Sequence, residues 1–128
     1  MDLADIKRKA LAGREFQAVI GALTFTLRLP TDNERDVELA RVRLHEGVDD
    51  PAVMVRLMRA LVERAVVAWV GVTCEHLAAG AGPEPVELSR ETVGLFLDAN
   101  PTEAKELRDM FVAERVARND KQGIAAKN

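Results

Sequence analysis

Between Arg14 and Leu29 the apolar positions recur every second residue. Phe16, Ala18 and Ile20 alternate with Gln17 and Val19, and Leu23, Phe25, Leu27 and Leu29 alternate with Thr24, Thr26 and Arg28. Gly21-Ala22 interrupts the run where a tight turn needs a residue that tolerates positive φ. The pattern predicts a β-hairpin with one apolar face, and because an isolated hairpin is marginal in water, that face must be covered by helices.

The period changes at Pro30-Thr31. Proline lacks an amide donor and ends the second strand, and Thr31 with Glu34 has the capping-box spacing of a helix start. Val37, Ala40 or Arg41, Leu44 and Val48 then follow helical spacing, with Gly47 as a stop. Asp50 before Pro51 marks the next start. From there Met54, Leu57, Met58, Leu61, Ala65, Ala68 and Val72 predict a helix of about six turns, the longest in the chain. Its end, "AVVAWVGVTC", is apolar on all sides and reads as a buried helix end, with Trp69 in the core or in a subunit contact.

"CEHLAAGAGPEPVE" is rich in Gly, Ala and Pro and predicts a connection and a mobile loop. Ser89 caps a short helix with Val93, Phe96 and Leu97 inward. Asn100 before Pro101, or Thr102 just after it, starts a last helix carrying Leu107, Met110, Phe111 and Val116. Residues 1–13 form either a helical turn or two around Leu3, Ile6 and Leu11 or a mobile lead-in, and the lead-in is favoured. "RNDKQGIAAKN" is expected to fray. The fold class is mainly α (α+β): an N-terminal hairpin packed on three to four helices, in one domain over 1–128 with flexible ends at 1–13 and 119–128.

Composition removes several functions. With 18 Lys and Arg interleaved with 21 Asp and Glu, and a net charge of −3, no basic face stands out for nucleic acid. Arg41, Arg43, Arg56, Arg59 and Arg64 on adjacent helices are a formal candidate for a phosphate-contacting face, but their neighbours Glu34, Asp36, Glu38, Glu46 and Glu63 make a solvated mixed-charge surface the better reading. The five aromatics, Phe16, Phe25, Trp69, Phe96 and Phe111, fit core positions rather than a base-stacking platform. No charge-free stretch is long enough to span a membrane. A single cysteine and a Met-Asp-Leu start without a signal-peptide layout point to a reducing cytoplasm.

Cys74, Glu75 and His76 are the one close cluster of reactive types. A tetrahedral zinc site needs four ligands, and only His45 is left to join them. A surface-loop origin therefore fits all three better, and neither a metal, a cofactor nor an enzymatic activity is expected. Gly80 and Gly82 lack the Lys and Ser or Thr of a phosphate loop.

Three stretches carry a family resemblance. "LTFTLRLPTDNERDVELARV", "MRALVERAVVAWVGVT" and "EPVELSRETVGLFLDANPTEAKELRDMFV" are similar to the opening strand and helix, the central helix and the closing helices of tail assembly chaperones of long-tailed bacteriophages and prophages. The chain between Cys74 and Pro83 lacks the more acidic turn of that family. The resemblance implies a non-enzymatic task in the host bacterial cytoplasm: keeping the helix-rich tape measure protein soluble, contacting tail tube protein, and self-associating as a homo-oligomer. It gives no catalytic residues to carry over. An apolar partner surface would draw on Phe25, Leu27, Met54, Met58, Leu61 and Trp69, although core packing is the commoner meaning of such a stripe. Many members of the family have a second, frameshifted long form, and Ala126-Lys127-Asn128 can be encoded by a slippery GCA AAA AAC. The alternative from another class is a small helical DNA-binding regulator of a prophage.

Overall fold

The computed structural model describes the backbone of residues 1–46 and 51–127 and the side chains of 1–44 and 51–119. In chain order the elements are α1 (Leu3–Ala12), β1 (Glu15–Ile20), β2 (Leu23–Arg28), α2 (Asp32–Glu46), α3 (Pro51–Ala65), β3 (Val66–Val70), α4 (Cys74–Leu77), α5 (Arg90–Ala99) and α6 (Pro101–Lys127). The sheet is antiparallel in the order β1-β2-β3.

The hairpin forms as its alternation dictates. Ile20 pairs with Leu23 across Gly21-Ala22, and Gly21 has φ 59°. Ala18, Ile20, Leu23, Phe25, Leu27 and Leu29 all turn inward and are buried. The capping box at α2 is also present: Thr31 Oγ1 accepts from the Glu34 amide at 3.1 Å, and the Glu34 carboxylate accepts from the Thr31 amide at 3.0 Å. Gly47, Val48 and Asp50, the expected stop, stripe residue and cap, lie outside the described residues.

The expected six-turn helix is instead a helix followed by a strand. α3 ends at Ala65, and Val66–Val70 pairs with β2, so the hairpin becomes a three-stranded sheet. A five-residue run of Val, Ala and Trp is apolar in either geometry, so periodicity cannot decide between them. The decision comes from the free edge of β2, which offers β-branched side chains a pleated surface to pack on. A bulge between Thr26 and Leu27 adjusts the register. The helical stripe therefore stops early, and its buried face is Val53, Leu57, Leu61, Val62 and Ala65 rather than one reaching Ala68 and Val72.

Gly71 lets the chain leave β3. It has φ +95°, and a Cβ there would stand 3.0 Å from the Ala22 carbonyl oxygen and 3.2 Å from Leu23 Cδ2. Gly80 has φ +84° but open space around it. Gly71→Ala is therefore expected to lower stability by about 2 kcal/mol, and Gly80→Ala by about half of that, since only the first adds a clash to backbone strain. Urea titrations of the two variants measure the difference.

The inward face of the sheet packs against α3, α5 and α6 in one cluster, with Val93, Phe96, Leu97, Leu107 and Phe111 fully inside. Phe96 is at its centre: its ring lies 5.4 Å from Phe25 and 6.1 Å from Trp69. Ser89 caps α5 and Pro101 opens α6 directly after Asn100, both as the sequence predicts; the structure adds a capping box between Ser89 and Thr92 and makes Asn100 the C-cap of α5. Residues Leu3–Ala12, expected chiefly as a lead-in, are helical, with the Asp2 carboxylate capping the Asp5 amide at 2.9 Å. None of that helix is buried, so local capping and propensity hold it, not packing.

Candidate functional site

α2 does not bury the face its apolar spacing suggests. Val37 and Leu44 are exposed, and the inward positions are Glu38 and Val42. Glu38 is wholly buried because guanidinium groups from two other helices meet it there. Arg90 grips both carboxylate oxygens, at 2.9 and 2.8 Å, and Arg64 donates to Oε1 at 3.1 Å. Arg64 also donates to Glu34 at 2.9 Å, and Arg59 binds Glu63 at 2.7 Å and Asp98 at 2.9 Å. The mixed charges expected to be solvated thus form a partly buried lattice tying α2, α3 and α5 together.

The lattice sets the protonation of its members. The Arg90 hydrogen bonds hold Glu38 below its ordinary 4.5 against the opposing effect of burial. At Glu34 burial is the largest single influence and acts upward, but the Thr31 amide and Arg64 together outweigh it and lower the pKa. A cavity of about 390 Å³ beside these groups is lined by Arg14, Arg28, Arg64 and Arg90 with Glu34 and Glu63. All four arginines are already ion-paired, and the Nε atoms of Arg14 and Arg28 are buried without a hydrogen-bond partner. Arg59 and Arg64, two members of the formal phosphate-contacting face, are committed in the same way.

The residues around Cys74 are structural. His76 Nδ1 accepts the Thr73 amide at 3.0 Å, closing a capping box on α4, and the His76 carbonyl accepts from Asn100 Nδ2 at 2.7 Å. The Glu75 carboxylate accepts the amides of Gly80 and Gly82 at 2.9 and 3.0 Å, and these bonds, Gly80's first, lower its pKa. Among the described residues no three His, Cys, Asp or Glu gather as metal ligands, and the His45 side chain is outside them. His76→Ala is expected to cost about 1 kcal/mol through the lost cap, and Cys74→Ser to change stability by less than that. Stoichiometric zinc in the purified protein, lost in either variant, would overturn this assignment.

The six residues expected to form a partner surface separate into two groups. Phe25, Leu27 and Leu61 are 1%, 0% and 1% exposed and belong to the core; of the three only Leu61 lines a surface cleft, at its floor. That expectation is corrected for these three: the alternation that marks a binding face marks a core face equally. Trp69 is on a strand and partly buried, with its indole N–H donated to the Val86 carbonyl at 2.9 Å. Met58 is also partly buried, whereas Met54 is 64% exposed.

Met54 and Met58 open onto a cleft of about 490 Å³ between α2 and α3, closed at one side by Arg115 of α6. Leu39, Val53, Leu57 and Leu61 form its floor, and Arg35, Asp36, Arg43 and Arg115 its rim. The methionines supply unbranched, adaptable side chains at its mouth. This is the one place among the described residues where the expected stripe and a concave apolar surface coincide. The arginine rim was not anticipated, because arginines on three separate helices have no common spacing in the sequence.

No protein-family model, curated protein or solved structure matches this chain. Among the described residues no helix is long and apolar enough to cross a membrane.

Proposed function

We propose that the chain is a non-catalytic tail assembly chaperone of a long-tailed phage or prophage, acting in the host cytoplasm. In this role it holds apolar helical segments of the tape measure protein in the α2–α3 cleft until tail tube subunits displace it. The observation that carries the reading is the cleft itself, whose floor is apolar and whose mouth is set by Met54, 64% exposed, and Met58. An amphipathic helix laid in such a groove buries its own stripe, as helix-in-groove recognition requires. The three stretches that resemble the chaperone family supply the identity of the partner, and they include Arg35, Leu39, Met58 and Leu61 of the cleft. Self-association and contact with tail tube protein follow from the same resemblance.

Co-expression with fragments of the tape measure protein from the same genome tests the reading. A soluble complex is expected, weakened at least about tenfold when Met54→Glu places a charge in the apolar mouth. Recovery of no complex with any fragment, together with salt-sensitive retardation of DNA by the purified chain, would replace the chaperone by the regulator.

A further inference from the structure

Most of the described arginines are committed to carboxylates. Arg14, Arg28, Arg41, Arg59, Arg64, Arg90 and Arg118 each pair with a carboxylate. Among the described residues Arg35, Arg43, Arg108 and Arg115 have no ion pair, and Arg35, Arg43 and Arg115 stand on the rim of the same cleft, where Asp36 is the sole acidic residue of the described lining. Arg35 and Arg115 also line a second, more polar hollow of about 610 Å³, shared with Arg14, Arg118 and one acidic residue, Asp32. The apolar floor therefore runs into a positively charged shoulder, on a chain whose net charge is −3.

We propose that Arg35, Arg43 and Arg115 are specificity residues that select helices bearing acidic side chains beside their apolar stripe. This rests on the reading that the cleft takes a helix from another protein. The physical reason is complementarity. In the free protein a guanidinium at the rim is hydrated at little cost, whereas a helix seated on Leu39, Leu57 and Met58 excludes water around it. A carboxylate of that helix then meets the guanidinium in a medium of lower dielectric, and an ammonium meets like charge. The exposed stripe of α1 is a poor occupant by the same rule, since Lys7, Arg8 and Lys9 outnumber Asp2 and Asp5. The apolar floor, in turn, argues for a helix over a nucleic-acid backbone.

The test uses the full chain, labelled with nitrogen-15, and two synthetic amphipathic helices of about four turns. Both have the same Leu and Met stripe; one is flanked by Glu and the other by Lys. The Glu-flanked peptide is expected to bind at least about tenfold more tightly at low salt, with amide shifts centred on Leu39, Met54 and Met58, and to lose most of that advantage in high salt. Arg43→Glu combined with Arg115→Glu is expected to reverse the preference; Arg43→Gln with Arg115→Gln, which adds no repulsion, is expected to abolish it. Circular dichroism of each variant establishes that it is folded.

Equal affinity for the two peptides, or shifts centred on α1 or β3, would overturn the proposal. So would displacement of the peptide by duplex DNA, or cleft shifts that appear on concentration alone and so mark a second copy as occupant. The two readings fail separately. A tape measure fragment that co-purifies while neither peptide touches the cleft removes this inference and leaves the function. Binding of the Glu-flanked peptide in the cleft without any tape measure complex does the reverse.

Discussion

Arg90→Met is expected to cost about 3 kcal/mol at neutral pH, while Glu38→Met, acting on the same ion pair, costs distinctly less. The asymmetry comes from burial. Glu38 is 0% exposed, and without Arg90 its carboxylate keeps only Arg64, at 3.1 Å, and the more distant Arg41, at 3.7 Å. The Arg90 and Arg64 side chains are 38% and 33% exposed, so when Glu38 is the group removed they regain water. The loss in Arg90→Met also depends on pH in a defined direction. Glu38 has a folded-state pKa below 4.5, so the stability it contributes is present above its unfolded value and is lost as pH falls through the folded one. As pH falls through that lowered folded-state pKa the carboxyl becomes neutral, and the gap between the parent protein and Arg90→Met should narrow. Urea unfolding of the three proteins at neutral and acid pH measures this. A gap that stays constant with pH would show that Arg90 acts through packing alone.

Phe96→Ala is expected to cost about 3 to 5 kcal/mol. The ring is 1% exposed and touches aromatic neighbours on three sides: Phe25 at 5.4 Å, Trp69 at 6.1 Å and His76 at 6.4 Å between centroids. It joins β2, β3 and α4 to α5, so the cavity left by its removal opens where four elements meet and cannot collapse onto one flexible neighbour. Trp69 reports the change directly, because it loses one wall of its pocket. A red shift of native-state emission should accompany the lower melting temperature. A loss of less than about 1 kcal/mol with unchanged emission would mean that the core repacks around Ala.

The candidate cleft was half legible in the sequence. Met54 and Met58 were visible as a stripe, and flexible side chains at helical spacing are a reasonable sign of an adaptable surface. Of the other four residues of that expected surface, Leu61 lies at the cleft floor, Phe25 and Leu27 are in the core away from it, and Trp69 lies on β3. Arg35, Arg43 and Arg115 were not singled out together, because Arg115 comes from α6, and only the approach of α6 to the α2–α3 pair makes a rim of the three.

Local signals in the chain determined the hairpin, the Thr31-Glu34 capping box, the Ser89 cap, the break at Asn100-Pro101 and the inward positions Val93, Phe96, Leu97, Leu107 and Phe111, whereas Val116 of the same expected stripe is 52% exposed. Each rests on residues within a few positions of one another, where backbone sterics and side-chain hydrogen bonds act without regard to the rest of the fold. Tertiary structure decided two things that no local pattern contains. Val66–Val70 became a strand because β2 had an edge to satisfy, and an apolar run short enough to suit either geometry took the one that supplied partners. α2 turned Glu38 inward and left Leu44 86% exposed because Arg90, distant in sequence, arrives to pair with it. A periodicity argument assigns every charge to solvent, and it fails where folding brings an opposite charge close enough to replace the water that burial removes.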